Sequence, residues 1–247
     1  MIDIHSHLLP GVDDGSPSLE VSVPVLQRFG RDGVTVLVCT PHLTASRALE
    51  APYDRHLELL GELQVAAPGM PELRLGWEIM LDTPGIDLTA PMLTLGHSRA
   101  LLVEFTRGGL PRGATHELRR IIRSGRTVVL AHPERYFGCT LDIVKEWREL
   151  GVVIQTDASM LTARGAPGDI ARGMLADGLI DILASDNHGD HRSLAAARAW
   201  LLERGGKDQV DLLTTINARL LLEDEDPLPV PPLRAGLVDK FKRLFGG

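Results

Sequence analysis

The chain has 247 residues, 44% hydrophobic and 24% charged, with a formal net charge of −7 and an isoelectric point near 5.7. That size and composition suit one large α/β domain or two small ones, and the acidic balance argues against a general nucleic-acid surface, which is normally basic. There is no uncharged apolar run of about 18 residues, no signal-like N-terminus and no disulfide framework from Cys39 and Cys139, so a cytoplasmic protein is expected.

In chain order, β-rich runs appear at MIDI (1–4), VTVLVC (34–39), LRLGW (73–77), LLVEF (101–105), TVVLA (127–131), GVVIQ (151–155) and IDILA (180–184). Several are continuously apolar, as parallel strands buried on both faces should be, and Cys39 reads as a buried structural thiol within one of them. Helical periodicity occupies 17–30, 51–66, 112–124, 141–150, 168–177 and 191–204, with a further helix at about 208–222. Ser16 followed by Pro17 reads as the N-cap and first position of the first helix. Residues 80–98 are irregular and predict a loop or short strands.

Seven strands alternating with helices predict a closed or nearly closed (β/α) barrel in one domain, residues 1–225. Residues 226–247 change character, from a Pro-rich linker to a basic amphipathic tip with Leu237, Phe241, Leu244 and Phe245 on one face. So short an isolated helix is marginal, so the tip reads first as a tail without fixed structure. Its functional reading is contact with a partner or the inner membrane surface.

Barrel enzymes carry their chemistry where strands end and loops begin. His5 and His7 follow the first predicted strand, His42 the second, and Glu78 ends the third. Glu104 ends the fourth, His132 follows the fifth, and Asp186 and His188 follow the seventh. Asp14 joins from the first loop. Each has a plain explanation alone: a strand-end His can cap a helix, and DDG is strong turn chemistry. All nine arising that way together is a much weaker explanation than a metal site.

Imidazole and carboxylate without thiolate suit Mn²⁺, Fe²⁺ or Zn²⁺, and the oxygen-rich positions admit Mg²⁺. Nine ligands exceed the three or four protein groups of one catalytic ion, which implies two or three divalent ions. Such clusters activate water and clamp the oxygens of a transferring phosphoryl group. Arg135, in the loop of His132, and Arg192, four residues after His188, are the candidates to bind phosphate bidentately.

The stretches MIDIHSHLLPGVDDG (1–15), TPH (40–42), GWE (76–78), VEF (103–105), HPERY (132–136) and SDNH (185–188) together resemble the polymerase and histidinol phosphatase (PHP) superfamily. The likeness is closest to its bacterial capsule-type, CpsB/CapC-like branch of manganese-dependent protein tyrosine phosphatases. The resemblance implies a distorted TIM-like (β/α)7 barrel of PHP type. It also implies that His5 and His7, with bridging Glu78 and Asp186, hold one metal. Glu78, Glu104 and His132 would hold a second, and Asp14, His42 and His188 a third. Arg135 and Arg192 would bind phosphate while a metal-activated hydroxide attacks phosphorus. The implied substrate is phosphotyrosine on a bacterial tyrosine kinase tail governing capsule or exopolysaccharide synthesis.

Some features fall outside that pattern. Asp157 stands where the resemblance implies a neutral Ser or Thr and reads as a helix cap rather than a group that perturbs the pocket. Asp13 reads as shaping the loop beside the ligand Asp14. His191 could protonate a leaving group, but a phenolate leaves readily, so it stays outside the expected site. Tyr136 and Phe137 are the nearest candidates to stack on a phenol ring, and core packing explains Phe137 equally well. The same cluster could serve a small-molecule phosphatase, such as one for histidinol phosphate, or a phosphodiesterase. A catalytically silent scaffold would be marked by missing ligands, and none of the nine is missing.

Overall fold

The structure, a computed structural model, describes residues 1–69, 71–106 and 109–233. The amphipathic tip expected from Leu237 to Phe245 lies outside the described residues. Among those described, nine short strands are found: β1 (Ile2–Asp3), β2 (Val36–Cys39), β3 (His42–Thr44), β4 (Glu72–Leu75), β5 (Glu78–Met80), β6 (Ala100–Glu104), β7 (Thr127–Ala131), β8 (Val153–Asp157) and β9 (Ile182–Ala184). They pair in parallel as β1-β2-β4 and β3-β5-β6-β7-β8-β9.

The two extra strands are continuations. The second predicted strand is interrupted at Thr40 and Pro41, the third at Gly76 and Trp77, and each resumes as β3 and β5. Proline has no N–H to offer a ladder. Hydrogen bonds carry the pairing across both breaks: Thr40 N to Ser6 O (2.7 Å), Gly76 N to Cys39 O (2.9 Å) and Glu78 N to Pro41 O (3.1 Å). The last strand closes on the first through Asp186 N to His5 O (3.0 Å), His7 N to Asn187 O (2.8 Å) and a parallel bridge between Ser6 and Asn187. Seven staves thus form a closed (β/α) barrel.

Alternate residues on the staves fall into separate apolar clusters, as the two-residue period of a strand requires. Leu101, Val103, Val128, Leu130, Ile154 and Leu183 pack outward beneath the helices. Ala100, Leu102, Val129, Ala131, Val153, Ile182 and Ala184 fill the lumen. Two residues further along the lumen rows come Glu104 and Gln155, then Asp157. The lumen is therefore apolar below and polar at the C-terminal mouth.

Seven α-helical segments match the expected positions: α1 (Leu19–Arg31), α2 (Tyr53–Ala66), α3 (Ala114–Arg123), α4 (Leu141–Glu149), α5 (Ala166–Ala176), α6 (Leu194–Glu203), and a last segment made of α7 (Lys207–Asp211), a π turn (Leu212–Ile216) and α8 (Asn217–Leu222). Ala218, Leu221 and Leu222 of α8 join the lumen cluster, and Asn217 Nδ2 donates to Asp181 O at the start of β9 (2.9 Å). This helix plugs the end away from the mouth. The start of α1 differs from expectation: Ser18, not Ser16, is its N-cap. Ser16 is fully buried because its N–H donates back to His7 O (2.8 Å), which holds it in the first loop.

Residues 227–233 run along the barrel. Leu228 exchanges two hydrogen bonds with Asn217, Val230 is buried, and Leu233 N donates to Leu175 O. Among the described residues no helix is long and apolar enough to cross a membrane.

Candidate metal centre

The first loop is built around Gly15. A Cβ there would overlap the carbonyl and Cβ of His7, so glycine lets the chain fold back over that histidine. Asp13 completes the turn: its Oδ1 accepts from Gly15 N (2.9 Å), and its Oδ2 accepts from His7 Nδ1 (2.7 Å) and His42 N (3.2 Å). His7 therefore presents Nε2 to the lumen. Gln155 Oε1 lies 3.0 Å from His5 Nδ1 and turns His5 Nε2 the same way.

Four side-chain atoms converge there. His5 Nε2 is 3.2 Å from His7 Nε2, 3.4 Å from Glu78 Oε2 and 3.3 Å from Asp186 Oδ1. His7 Nε2 is 3.2 Å from Glu78 Oε2 and 3.3 Å from Asp186 Oδ1. An ion with tetrahedral ligands at about 2.0–2.1 Å needs ligand–ligand edges of about 3.3–3.4 Å. Both imidazoles give Nδ1 to other partners and aim Nε2 at the same two carboxylates, so the donor set fits a divalent ion.

The remaining candidates extend the cluster. His132 Nε2 is 2.7 Å from Glu78 Oε1 and 3.9 Å from Glu104 Oε2. His42 Nδ1 is 3.0 Å from Glu78 Oε2, while its Nε2 is 3.1 Å from Asp14 Oδ1. His188 Nε2 lies 3.6 Å from the same Asp14 oxygen, with Nδ1 held by Asp186 O (3.0 Å). Four groupings bring possible ligand atoms within 4.8 Å of one another: His5 with His7 and Asp186, His5 with Glu78 and His132, His42 with Glu78 and Glu104, and His7 with Asp14, His42 and His188. Register explains part of this, since His42 on β3 sits directly opposite Glu78 on β5.

The two arginines meet the cluster from the open side. Arg135 and Arg192 donate to Asp186 Oδ2 at 2.7 and 3.0 Å, so one carboxylate faces imidazoles with one oxygen and guanidinium groups with the other. All the expected site residues except His5 and His7, which are fully buried, line one cavity of about 210 Å³. His132 and Asp186 both take left-handed backbone angles (φ 34° and 48°). Non-glycine residues held so cost on the order of 1–3 kcal/mol each and concentrate at functional sites.

The electrostatics are those of a tightly coupled cluster of imidazoles and carboxylates. Burial pushes Glu104 up, and the neighbouring Glu78 charge adds to it. Burial opposes ionisation of Glu78 and Asp186, yet the imidazoles around them, with Arg135 on Asp186, hold both below the usual carboxylate range. His132 is disfavoured as a cation by burial, but the Glu78 carboxylate lifts it to about 9. Like charges crowded at one point are what a bound metal ion relieves.

Several readings change. Asp157 makes no side-chain cap; it is fully buried at the end of β8 and forms an ion pair with Arg135. Tyr136 is buried, donates to Ala131 O (2.7 Å) and accepts from Phe105 N (3.2 Å), so it is not free to stack on a substrate. Phe137 is 85% exposed rather than part of the core. His191 is exposed and does not line the cavity. Sequence reasoning missed Asp13 and Gln155 as the groups that orient His7 and His5. A polar Gln inside the apolar run VVIQ was the available signal for the second.

The family model described as capsular polysaccharide synthesis, CpsB/CapC, matches residues 1–223. The chain belongs to the CpsB/CapC family. Among relatives of this CpsB/CapC protein, the tyrosine-protein phosphatase YwqE of Bacillus subtilis (strain 168) is 28% identical over 274 residues, covering 100% of this chain and 99% of its own. The tyrosine-protein phosphatase CpsB of Streptococcus agalactiae serotype V is 28% identical over 255 residues, covering 91% and 99%. A solved chain from crystal structures of YwqE from Bacillus subtilis and CpsB from Streptococcus pneumoniae, described as unique metal-dependent tyrosine phosphatases, aligns with a TM-score of 0.77 at 25% identity. It covers 96% of this CpsB/CapC chain and 100% of that one.

Proposed function

We propose that this CpsB/CapC protein is a metal-dependent protein tyrosine phosphatase. The observation that carries the reading is that His5 Nε2 and His7 Nε2 lie 3.2–3.4 Å from each other, from Glu78 Oε2 and from Asp186 Oδ1, with two arginines on the outer oxygen of Asp186. His5, His7, Glu78 and Asp186 hold one ion; Glu78, Glu104 and His132 a second; Asp14, His42 and His188 a third. The donors suit Mn²⁺ first, with Fe²⁺, Zn²⁺ or Mg²⁺ as alternatives. When bound, such ions supply an activated water and neutralise charge developing on phosphoryl oxygens.

The chain's own groups do the rest. Arg135 and Arg192 present guanidinium N–H groups to the non-bridging oxygens, fixing the phosphoryl group in the cavity. Asp13 and Gln155 fix imidazole tautomers so that Nε2 of His7 and of His5 stays free of a proton. Asp157 and Asp186 both pair with Arg135 Nη2. A tyrosine leaving group has a pKa of about 10, so no general acid is assigned. The catalytic unit is residues 1–225, and residues 226–247 are an appended segment. Its substrate is a phosphotyrosine protein, a bacterial tyrosine kinase tail in capsule or exopolysaccharide synthesis, in the cytoplasm.

The test is phosphate release, with Mn²⁺, from a phosphotyrosine peptide, histidinol phosphate and a dinucleotide in parallel. Turnover of the peptide well above the other two is expected. Turnover confined to histidinol phosphate or the dinucleotide would replace the proposal with a small-molecule phosphatase or a phosphodiesterase.

A further inference from the structure

A second cavity, of about 590 Å³, opens beside the first, and His42 and Glu104 line both. Its size falls within the range of small-ligand pockets, whereas the metal cavity is smaller than that range. The strand register explains how the two join. His42 on β3 faces Glu78 on β5, and two residues on Thr44 faces Met80. Residues two apart share a face, so the surface that carries His42 and Glu78 continues to Thr44 and Met80 over about 6–7 Å. That is close to the length of a para-substituted phenyl ring.

The chemistry changes along the way. Thr44 and Met80 join Val12, Leu43 and Pro52 as walls that carry no charge, the exposed Arg47–Glu50 ion pair (3.2 Å) also lines the cavity, and the buried Trp77 borders it. Trp77 spends its N–H on Met92 O (2.9 Å), so it offers only a ring face. His56 of α2 is stacked on it, with ring centroids 4.8 Å apart and planes at 30°. His56 is 7% exposed and lines the cavity, and its Nδ1 is buried with no hydrogen-bond partner among the described residues. Burial pushes this imidazole toward its neutral form, which carries one donor and one acceptor. A buried polar atom left unpaired is costly, and the cavity is the open space that the His56 ring borders.

Resting on the phosphatase reading above, we infer that this second cavity is the subsite for an extended phosphotyrosine peptide: the uncharged wall along Thr44 and Met80 takes the ring, and His56 pairs with a backbone amide beside it. A peptide amide has the donor and acceptor that a neutral imidazole complements, and a simple aryl phosphate has neither. His56 is a specificity-determining residue here, not a catalytic one.

The test compares wild type with His56→Phe, which keeps the stacking on Trp77 but loses the nitrogens, and Thr44→Trp, which fills the cavity from a half-buried strand position. Each is assayed with Mn²⁺ on a nine-residue peptide with central phosphotyrosine and on phenyl phosphate. In His56→Phe the ratio of kcat/KM for peptide to that for phenyl phosphate should fall about tenfold or more, the cost of one or two lost polar contacts. In Thr44→Trp, kcat/KM should fall about tenfold or more for both substrates, because both carry the ring that the filled wall would take. Circular dichroism and Mn²⁺ binding report that each variant is folded. An unchanged ratio in folded His56→Phe, or an unchanged kcat/KM in folded Thr44→Trp, overturns the subsite while leaving the phosphatase reading intact. A wild type that hydrolyses phenyl phosphate but not the peptide overturns both.

Discussion

Asp13→Asn is the most informative single change at the first loop. Burial works against the Asp13 carboxylate, yet the His7 hydrogen bond and charge hold it below its usual range, so it faces His7 as an anion. Asn can keep its oxygen on Gly15 N, where Asp13 Oδ1 sits at 2.9 Å. Its NH2 then meets His7 Nδ1 and the His42 N–H, where Oδ2 accepted at 2.7 and 3.2 Å. Two donors would face a donor. His7 can satisfy the amide only by moving its proton to Nε2, the atom that converges with Glu78 and Asp186. A protonated Nε2 cannot ligate a metal. The flipped amide instead leaves Gly15 N–H against NH2 and replaces a charged acceptor with a neutral one.

Either arrangement weakens metal binding by about 10–100-fold, the usual effect of removing a carboxylate behind a ligating histidine, or about 1.4–2.8 kcal/mol. Calorimetric titration of metal-stripped protein with Mn²⁺, alongside phosphate release at rising Mn²⁺, measures it. Half-saturation should move up by that factor, with most of kcat recovered at high Mn²⁺. An unchanged Mn²⁺ dependence would refute the orienting role and leave Asp13 as a loop residue only.

Four further outcomes follow from the same geometry. Gly15→Ala should abolish high-affinity Mn²⁺ binding in titration calorimetry, because its Cβ would displace His7; normal binding would show that the loop yields freely. Arg135→Ala should lower kcat/KM for a phosphotyrosine peptide by about 10²–10³, the scale for losing one donor to transition-state charge; an unchanged value would reject its phosphate role. Asp157→Ala removes a buried partner of Arg135. Because Arg135 is partly exposed, the loss of stability should be on the order of 1–3 kcal/mol in urea unfolding rather than the larger cost of a fully buried pair.

The fourth concerns pH. In metal-free protein His5, His42 and His132 are raised, His132 to about 9, with burial opposing and carboxylates, Glu78 foremost, prevailing. Folded values above the unfolded value of about 6.5 stabilise the native state fully below that pH. The contribution is lost as pH rises toward 9. Melting of metal-free protein should therefore fall between pH 6.5 and 9, and saturating Mn²⁺ should oppose that fall, since ligands must shed protons to bind. A metal-free melting temperature that rises across this range would contradict the assignment of charged imidazoles.

Much of this was legible in the sequence because a barrel ties chemistry to strand ends. Continuous apolar runs such as TVVLA gave the staves, and His, Asp and Glu immediately after them gave the cluster. The strand breaks at Thr40–Pro41 and Gly76–Trp77 were not legible as pairing, since a local sequence does not reveal hydrogen bonds accepted by Ser6 O or Pro41 O across the gap. Ser16 looked like a helix cap by local preference, but its tie to His7 is tertiary. Asp157 misled for a similar reason: a strand-end Asp before a turn resembles a cap, and only the barrel brings Arg135 to it. Tyr136 turns inward and Phe137 outward, and nothing in HPERYF tells which ring does which. Asp13 was read as shaping its loop, which it does, but its other oxygen orients the His7 ring only because the loop folds over His7.

Phosphate release from a phosphotyrosine peptide, measured on one preparation with Mn²⁺, after chelation and after Mn²⁺ is restored, tests most directly whether catalysis depends on metal. Turnover that disappears on chelation and returns with Mn²⁺ is expected. Turnover that survives chelation with no metal left in the protein would contradict a mechanism built on this His, Asp and Glu cluster.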